Sequence, residues 1–146
     1  MFDVGSLLFF RPFLFKNGRM PEPKFFVVLG TIEEGVVLAS LPTSKDHVPA
    51  VYGDKAGCLN DDEQRFNAYK FNAGVSVTIT DFSFEKPTFI YGEQLDTYPL
   101  SAFIEQQRNG ETTIEELGQL KEDLLGELKL CLKKSMKVKR KFKKCL

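Results

Sequence analysis

The first forty residues alternate between short apolar runs and turn residues, a pattern that predicts strands. Residues 4–15 are rich in aromatic and branched side chains, and the Asn17-Gly18 pair that follows them is typical of a tight turn. Residues 24–30 and 36–42 form two further apolar runs, with a short polar link between them. We therefore expect three strands in a β-meander.

The middle of the chain has a less regular pattern. Residues 48–72 contain turn residues and acids without a clear period, and they predict a long loop with room for one short helix. Residues 75–81 alternate between apolar and polar side chains and predict a half-buried strand, and residues 88–91 predict another. Residues 100–107 fit either a short helix or a strand closed by the Asn-Gly pair after them, and we favour the strand.

The last part of the chain carries a helical pattern. Thr113 and Glu116 have the spacing of a capping box, and apolar residues recur at three- and four-residue steps from Ile114 to Cys131. This predicts an amphipathic helix of about six turns that begins near residue 112.

Together these elements predict a mainly β fold with antiparallel strands and a C-terminal α-helix, arranged as a small barrel or sandwich. The chain has 146 residues, of which 42% are hydrophobic and 27% are charged, as expected for one globular domain. We place that domain at residues 1–132, and we treat residues 133–146 as a basic C-terminal extension.

The net charge of zero conceals a strong asymmetry along the chain. Nine basic residues and no acidic ones lie beyond residue 128, so 11 basic and 20 acidic residues precede them. A basic segment of this kind can contact RNA, an acidic protein or the acidic body of the same chain, or it can simply be solvated.

Location and redox state are also predicted by the sequence. An acid at position 3 and the lack of a cleavage site argue against a signal peptide, so we expect a cytoplasmic protein. The apolar runs are shorter than the roughly 20 residues that a membrane span requires, so no membrane contact is expected. Cys58, Cys131 and Cys145 are odd in number and widely spaced, which predicts thiols rather than disulfide bonds.

Candidate chemistry is concentrated at the predicted strand ends. Common nucleophile, nucleotide-binding and zinc motifs are missing from the sequence, and His47 is its only histidine, so we expect no metal and no cofactor. Cations, hydroxyls and one imidazole are what a metal-free ribonuclease needs to activate the RNA 2′-hydroxyl. The same side chains also fit a phosphate-binding or purely structural rim. They are Arg11, Arg19, Lys24, Thr43, Ser44, Lys45 and His47.

Five short motifs in collinear order resemble the MazF/PemK-like (Kid-like) toxins of toxin–antitoxin systems. The resemblance spans nearly the whole chain. The motifs are residues 5–10 (GSLLFF), 24–29 (KFFVVL), 41–44 (LPTS) and 93–95 (EQL), and the segment from Gly110 through Glu115-Glu116-Leu117.

This resemblance implies an SH3-like barrel, a homodimer with an RNA groove, and an antitoxin that occupies the groove. It also implies metal-independent cleavage of single-stranded RNA that leaves a 2′,3′-cyclic phosphate. Thr43 or Ser44 would take the family's catalytic Thr/Ser position, and Lys24 would replace its catalytic Arg. Because lysine lacks the planar fork of arginine, Arg19 is the candidate to supply a guanidinium, and His47 is the candidate for proton transfer.

RNA contacts are expected from cations and from aromatic rings that can stack on bases. The alternative function is a catalytically silent barrel that binds RNA or a protein partner. The predicted RNA-binding cations are Arg11, Lys45, Lys137, Lys139, Arg140 and Lys141, and candidate stacking rings are Phe13, Phe15, Tyr52 and Tyr91.

Overall fold

The computed structural model describes residues 1–44 and 53–146, and it shows two antiparallel sheets with three helices. The strands are β1 (Ser6–Phe13), β2 (Glu22–Glu33), β3 (Val36–Ser40), β4 (Thr43–Ser44), β5 (Gly57–Asp61), β6 (Phe66–Phe71), β7 (Thr88–Tyr91), β8 (Asp96–Pro99) and β9 (Thr113–Gln119). The helices are α1 (Leu100–Arg108), α2 (Glu122–Lys134) and α3 (Arg140–Lys143), and a single 3₁₀ turn spans Gly92–Gln94.

The strand order is β8-β3-β2-β1-β9 in the first sheet and β4-β7-β6-β5 in the second. The predicted mainly β, antiparallel fold with a C-terminal helix is therefore confirmed. Within the two described ranges, both sheets end in edge strands and form no closed barrel.

The first sheet is buried on both faces, which explains why its strands appear as continuous apolar runs. Along β2, Val27 and Leu29 face the larger core, which they share with the second sheet and α2. Phe26 and Val28 face the opposite way, into a second core that includes Phe103 of α1. The three strands predicted for this part of the chain are confirmed.

Two predictions for the middle of the chain are wrong. Residues 57–71, predicted as part of a loop, contain β5 and β6, whose register pairs Leu59 with Ala68; residues 48–52 of that loop lie outside the described residues. Residues 75–81, predicted as a strand, form turns with two isolated bridges, one from Ser76 to Ser83 and one from Thr78 to Leu120. The strand predicted at residues 88–91 is confirmed as β7.

Residues 100–107, for which we favoured a strand, belong to helix α1. Asn109 is the C-cap residue, and Gly110 has a φ of +73°. The Gly110 amide donates to the Gln107 carbonyl (3.1 Å) and the Glu111 amide to the Gln106 carbonyl (2.8 Å). This is a Schellman helix end. The Asn-Gly pair that suggested a hairpin turn therefore closes a helix.

The prediction of a six-turn helix is also wrong for the N-terminal part of that helix. Thr113 and Glu116 lie in strand β9, and helix α2 begins at Glu122. Gly118 has a φ of +143°, and a Cβ at that position would overlap the Thr80 hydroxyl. The Thr80 hydroxyl donates to the Leu117 carbonyl (2.7 Å), so residues 78–80 cross β9 at this glycine.

The prediction of free thiols fails for two of the three cysteines. Cys58 on β5 and Cys131 on α2 form a disulfide bond across 73 residues, and Cys145 is free. No local spacing could indicate this pair. Residues 133–146, set apart as a basic extension, contribute the buried side chains of Val138 and Phe142 to the larger core.

A glycine substitution tests how closely the C-terminal segment packs on β2. A Cβ on Gly30 would overlap the Cys145 carbonyl oxygen. We expect Gly30→Ala to lower the free energy of unfolding by roughly 1–3 kcal/mol, the usual cost of overpacking. The control is Gly126→Ala on the exposed face of α2, where nothing lies within 4 Å and a gain of about 1 kcal/mol is expected. Urea denaturation measures both; a neutral Gly30→Ala would contradict this packing.

Candidate functional site

Three of the five predicted catalytic side chains, Lys24, Thr43 and Ser44, lie together where the chain leaves the first sheet. The β2–β3 register runs from Val27 to Glu33 on β2, and β3 ends at Ser40. The chain then crosses to the second sheet, where β4 pairs with β7. The first residues of β2 therefore border an open cleft of about 430 Å³, here called the Lys24 cleft. Its lining residues are Phe9, Glu22, Pro23, Lys24, Phe25, Pro42, Thr43 and Ser44.

Lys24 is half-buried in the wall of this cleft. Desolvation by burial lowers the pKa of its ammonium group below the usual value; the nearby Glu22 carboxylate opposes this effect, and the Arg19 charge adds to it. The folded protein thus releases the Lys24 proton more readily than the unfolded chain does.

Arg19 lies close enough to Lys24 to influence its charge, but its guanidinium is already engaged. Its Nη2 lies 3.1 Å from the Glu22 Oε1, and its Cζ lies 4.0 Å from the centre of the Phe15 ring. Glu22 was missed by the sequence analysis. A signal for it exists, because residues i and i+2 of a strand share a face, which places Glu22 beside Lys24.

The two candidate hydroxyls differ in how they are bonded. The Thr43 hydroxyl has one long hydrogen bond, 3.4 Å, to the Leu41 carbonyl. The Ser44 hydroxyl lies 3.2 Å from the Thr88 hydroxyl, which donates its only proton to the Lys86 carbonyl (2.8 Å). Ser44 must therefore donate to Thr88, so Thr43 is the hydroxyl better placed to donate to a ligand.

A second cleft of about 370 Å³, here called the Phe82 cleft, adjoins the first and shares Phe25 and Ser44 with it. The half-buried ring of Phe25 connects the two, with its centroid 5.0 Å from that of Phe9 and 5.9 Å from that of Phe82. The lining residues of this cleft are Phe25, Ser44, Phe82, Ser83, Glu85 and Lys86.

The stacking rings predicted from the sequence do not line these two clefts in the described part of the chain. Phe13 is 2% exposed in the core, Phe15 lies under Arg19, and Tyr91 packs against Phe89. Tyr52 lies outside the described residues. Phe9, Phe25 and Phe82 are the rings at the clefts. The sequence analysis missed Phe9 and Phe25 because a continuous apolar run does not show which positions remain accessible.

The remaining predicted cations are dispersed. Arg11 pairs with Glu115 (2.9 Å) and lies over the Phe9 ring. Lys137 borders a separate depression with Asp62 and Arg65. Lys45 and His47 lie outside the described residues.

The basic segment is anchored away from the Lys24 cleft. Lys139 and Lys141 lie over the ring of Phe142, and Arg140 begins α3. This segment meets β2 at Gly30. Gly30 lies six residues beyond Lys24, about 20 Å along the strand.

Residues 1–44 and 53–146 contain no group of three or more His, Cys, Asp or Glu side chains arranged to hold a metal ion. None of the helices in these ranges combines the length and apolar character needed to cross a membrane. No model of a known protein family matches the chain, and searches of curated proteins and of solved structures likewise find no match.

Proposed function

We propose that this protein is a metal-independent endoribonuclease of the MazF/PemK-like type that cleaves single-stranded RNA at the Lys24 cleft. One observation carries the proposal. Lys24 and Thr43 are 19 positions apart in the sequence, yet they line one open cleft beside half-buried aromatic rings. A cation and a hydroxyl donor next to apolar stacking surfaces suit a phosphate flanked by unpaired bases.

In the proposed reaction, the RNA 2′-oxygen attacks the adjacent phosphorus while the bond from phosphorus to the 5′-oxygen breaks. The products are a 2′,3′-cyclic phosphate and a free 5′-hydroxyl. The Lys24 ammonium and the Thr43 hydroxyl stabilise the charge that develops on the phosphate oxygens. Glu22, the carboxylate that lines this cleft, accepts the 2′-hydroxyl proton. Protonation of the leaving 5′-oxygen is assigned to His47, which the sequence offers as the candidate for proton transfer and which lies outside the described residues.

The proposal has further parts that rest on the sequence resemblance alone. They are an SH3-like relation of the strands, a homodimer and neutralisation by an antitoxin. Activity in the cytoplasm is also proposed, as expected from the sequence itself.

Two single substitutions test the assignment of the hydroxyls. Thr43→Val removes the donor with little change in shape, and we expect cleavage to fall by about 100-fold, as for loss of one transition-state donor. Ser44→Ala should retain most of the activity, because that hydroxyl donates to Thr88. The assay follows fragments of labelled single-stranded RNA in EDTA. Thr43→Ser is the matched control and should keep its activity; a larger loss in Ser44→Ala than in Thr43→Val would refute the assignment.

A second candidate function is a non-catalytic RNA-binding module at the same cleft. It is favoured by the state of Arg19, whose guanidinium is bound to Glu22 and stacked on Phe15. Lys24 would then be the main phosphate ligand, with no free guanidinium from Arg19 to bind the phosphate through two parallel hydrogen bonds. This function predicts RNA binding that weakens with salt but no cleavage in the same assay.

A further inference from the structure

The Phe82 cleft lies beside the Lys24 cleft, and both use Phe25 and Ser44 as lining. A nucleotide whose phosphate lies at Lys24 would place a neighbouring base within reach of the Phe82 cleft. The cleft volume of about 370 Å³ is within the range of small-molecule sites. It is therefore a candidate base-binding subsite.

The aromatic wall of this cleft is held in place. The Phe82 amide donates to the Thr78 hydroxyl (2.9 Å), and the Gly74 amide donates to the Phe84 carbonyl (2.8 Å). The Phe84 ring, only 1% exposed, packs against both Phe82 (5.3 Å) and Phe25 (4.9 Å). The Phe25 and Phe82 rings are inclined by 60°, so a flat base can stack on one ring and meet the other with its edge.

The polar groups of the cleft can be compared with the hydrogen-bonding edges of the four RNA bases. Glu85 offers two carboxylate oxygens that accept hydrogen bonds, and Lys86 offers an ammonium donor. Guanine is the only standard RNA base whose Watson–Crick edge has two adjacent donors, N1–H and N2–H, beside one acceptor, O6. Adenine and cytosine place an acceptor next to their amino group, and uracil has a single donor between two acceptors, so each would set an acceptor against the carboxylate.

We propose that the Phe82 cleft binds the guanine base of the nucleotide next to the cleaved phosphate, with Glu85 accepting from N1–H and N2–H and Lys86 donating to O6. This inference rests on the proposed RNA-cleaving function. The proposed substrate preference is for RNA with guanine at one fixed position. The side chains that produce this preference lie outside the Lys24 cleft. Two parallel hydrogen bonds to one carboxylate are strong and directional.

The test uses 2′-O-methyl oligonucleotides, which cannot be cleaved, made of uridine with a single central guanine, adenine or cytosine. Fluorescence anisotropy with a labelled end gives the affinity of each. We expect the guanine oligonucleotide to bind at least about tenfold more tightly than the others, the lower part of the range for a good bidentate base contact. Glu85→Gln should reduce this preference to below about threefold and leave the affinity for all-uridine RNA unchanged, since the amide offers one acceptor only.

Glu34→Gln is the matched control, because it makes the same charge change at an exposed residue beyond the far end of β2. It should keep the guanine preference. Cleavage of unmodified RNA is assayed in parallel. Cleavage without a guanine preference, or a preference that survives Glu85→Gln, overturns this inference and leaves the proposed function intact. If RNA is neither bound nor cleaved, both proposals fail.

Discussion

Replacing Lys24 with methionine is expected to lower RNA cleavage by about 10²- to 10³-fold, as for loss of a group that stabilises transition-state charge. The same substitution should raise the Tm at neutral pH. Burial lowers the pKa of Lys24 in the folded protein, so the unfolded chain binds this proton more tightly and the charge destabilises the fold. Methionine keeps the apolar length of the side chain and has no charge to desolvate. RNA cleavage and thermal unfolding are measured on the same sample.

The pH dependence follows from the same pKa. In the wild type, stability should increase as the pH rises from the lowered pKa of Lys24 towards the usual lysine pKa of 10.5, because only the unfolded chain still holds the proton in that window. Cleavage should decline over the same range as the ammonium is lost. Lys24→Arg should retain cleavage and abolish this decline, since arginine keeps its charge. Unchanged cleavage in Lys24→Met would contradict the proposed role.

Removing the disulfide bond should have the largest effect on stability. The bond between Cys58 and Cys131 closes a loop of 73 residues, and chain-entropy arguments give it a contribution of about 4 kcal/mol. For a chain of this size, that corresponds to a fall in Tm of roughly 10 °C. Cys58→Ser is the suitable variant because Cys58 is exposed, so the substitution removes the cross-link and disturbs little packing. Thermal unfolding with and without dithiothreitol measures the effect.

Cys145→Ser is the control, because Cys145 is free and its loss should leave the Tm unchanged. Dithiothreitol should lower the Tm of the wild type to that of Cys58→Ser and have no effect on the variant. A titration of the unfolded wild type should find one thiol per chain, and three thiols would contradict the bond. Since disulfide bonds persist mainly in oxidising compartments, thiol-trapping in cells also tests the proposed cytoplasmic location.

Strands β1, β2 and β3 could be predicted from sequence because their local pattern has one interpretation. The apolar run of β2 suits a strand buried on both faces, and its register with β3 follows from a short turn at Gly35. The joint location of Lys24, Thr43 and Ser44 was expected from their positions at strand ends, and these three side chains do line one cleft.

Other elements were predicted wrongly because one local sequence pattern fits two different structures. Asn109-Gly110 suits a hairpin turn or a helix end, and only the bonds of Gly110 and Glu111 to the last turn of α1 decide between them. The spacing of Ile114, Leu117 and Leu120 suits a helix, but Gly118 is needed for close passage of residues 78–80 over β9. The structure around Gly118 thus depends on residues 78–80, which are distant in sequence.

The residues of the candidate site that the sequence analysis missed come together through contacts between distant parts of the chain. Phe82 directly follows the strand predicted at residues 75–81, and its ring meets Phe25 only through the fold. Glu85 was overlooked because exposed acids are common in a chain with 20 of them. A site that forms where two separate segments meet cannot be deduced from the composition of either segment alone.

The position of β1 at the interior of the first sheet has a consequence for folding during synthesis. Its neighbour β9 lies more than 100 residues later, with Ser6 opposite Gln119, and Phe142 is later still in the core. During synthesis, β1 therefore waits for more than 100 further residues before both of its edges are paired. Contacts of such long range slow folding and leave apolar surface exposed to chaperones meanwhile. The nascent chain should thus acquire protease resistance in a single late step, without a stable N-terminal intermediate.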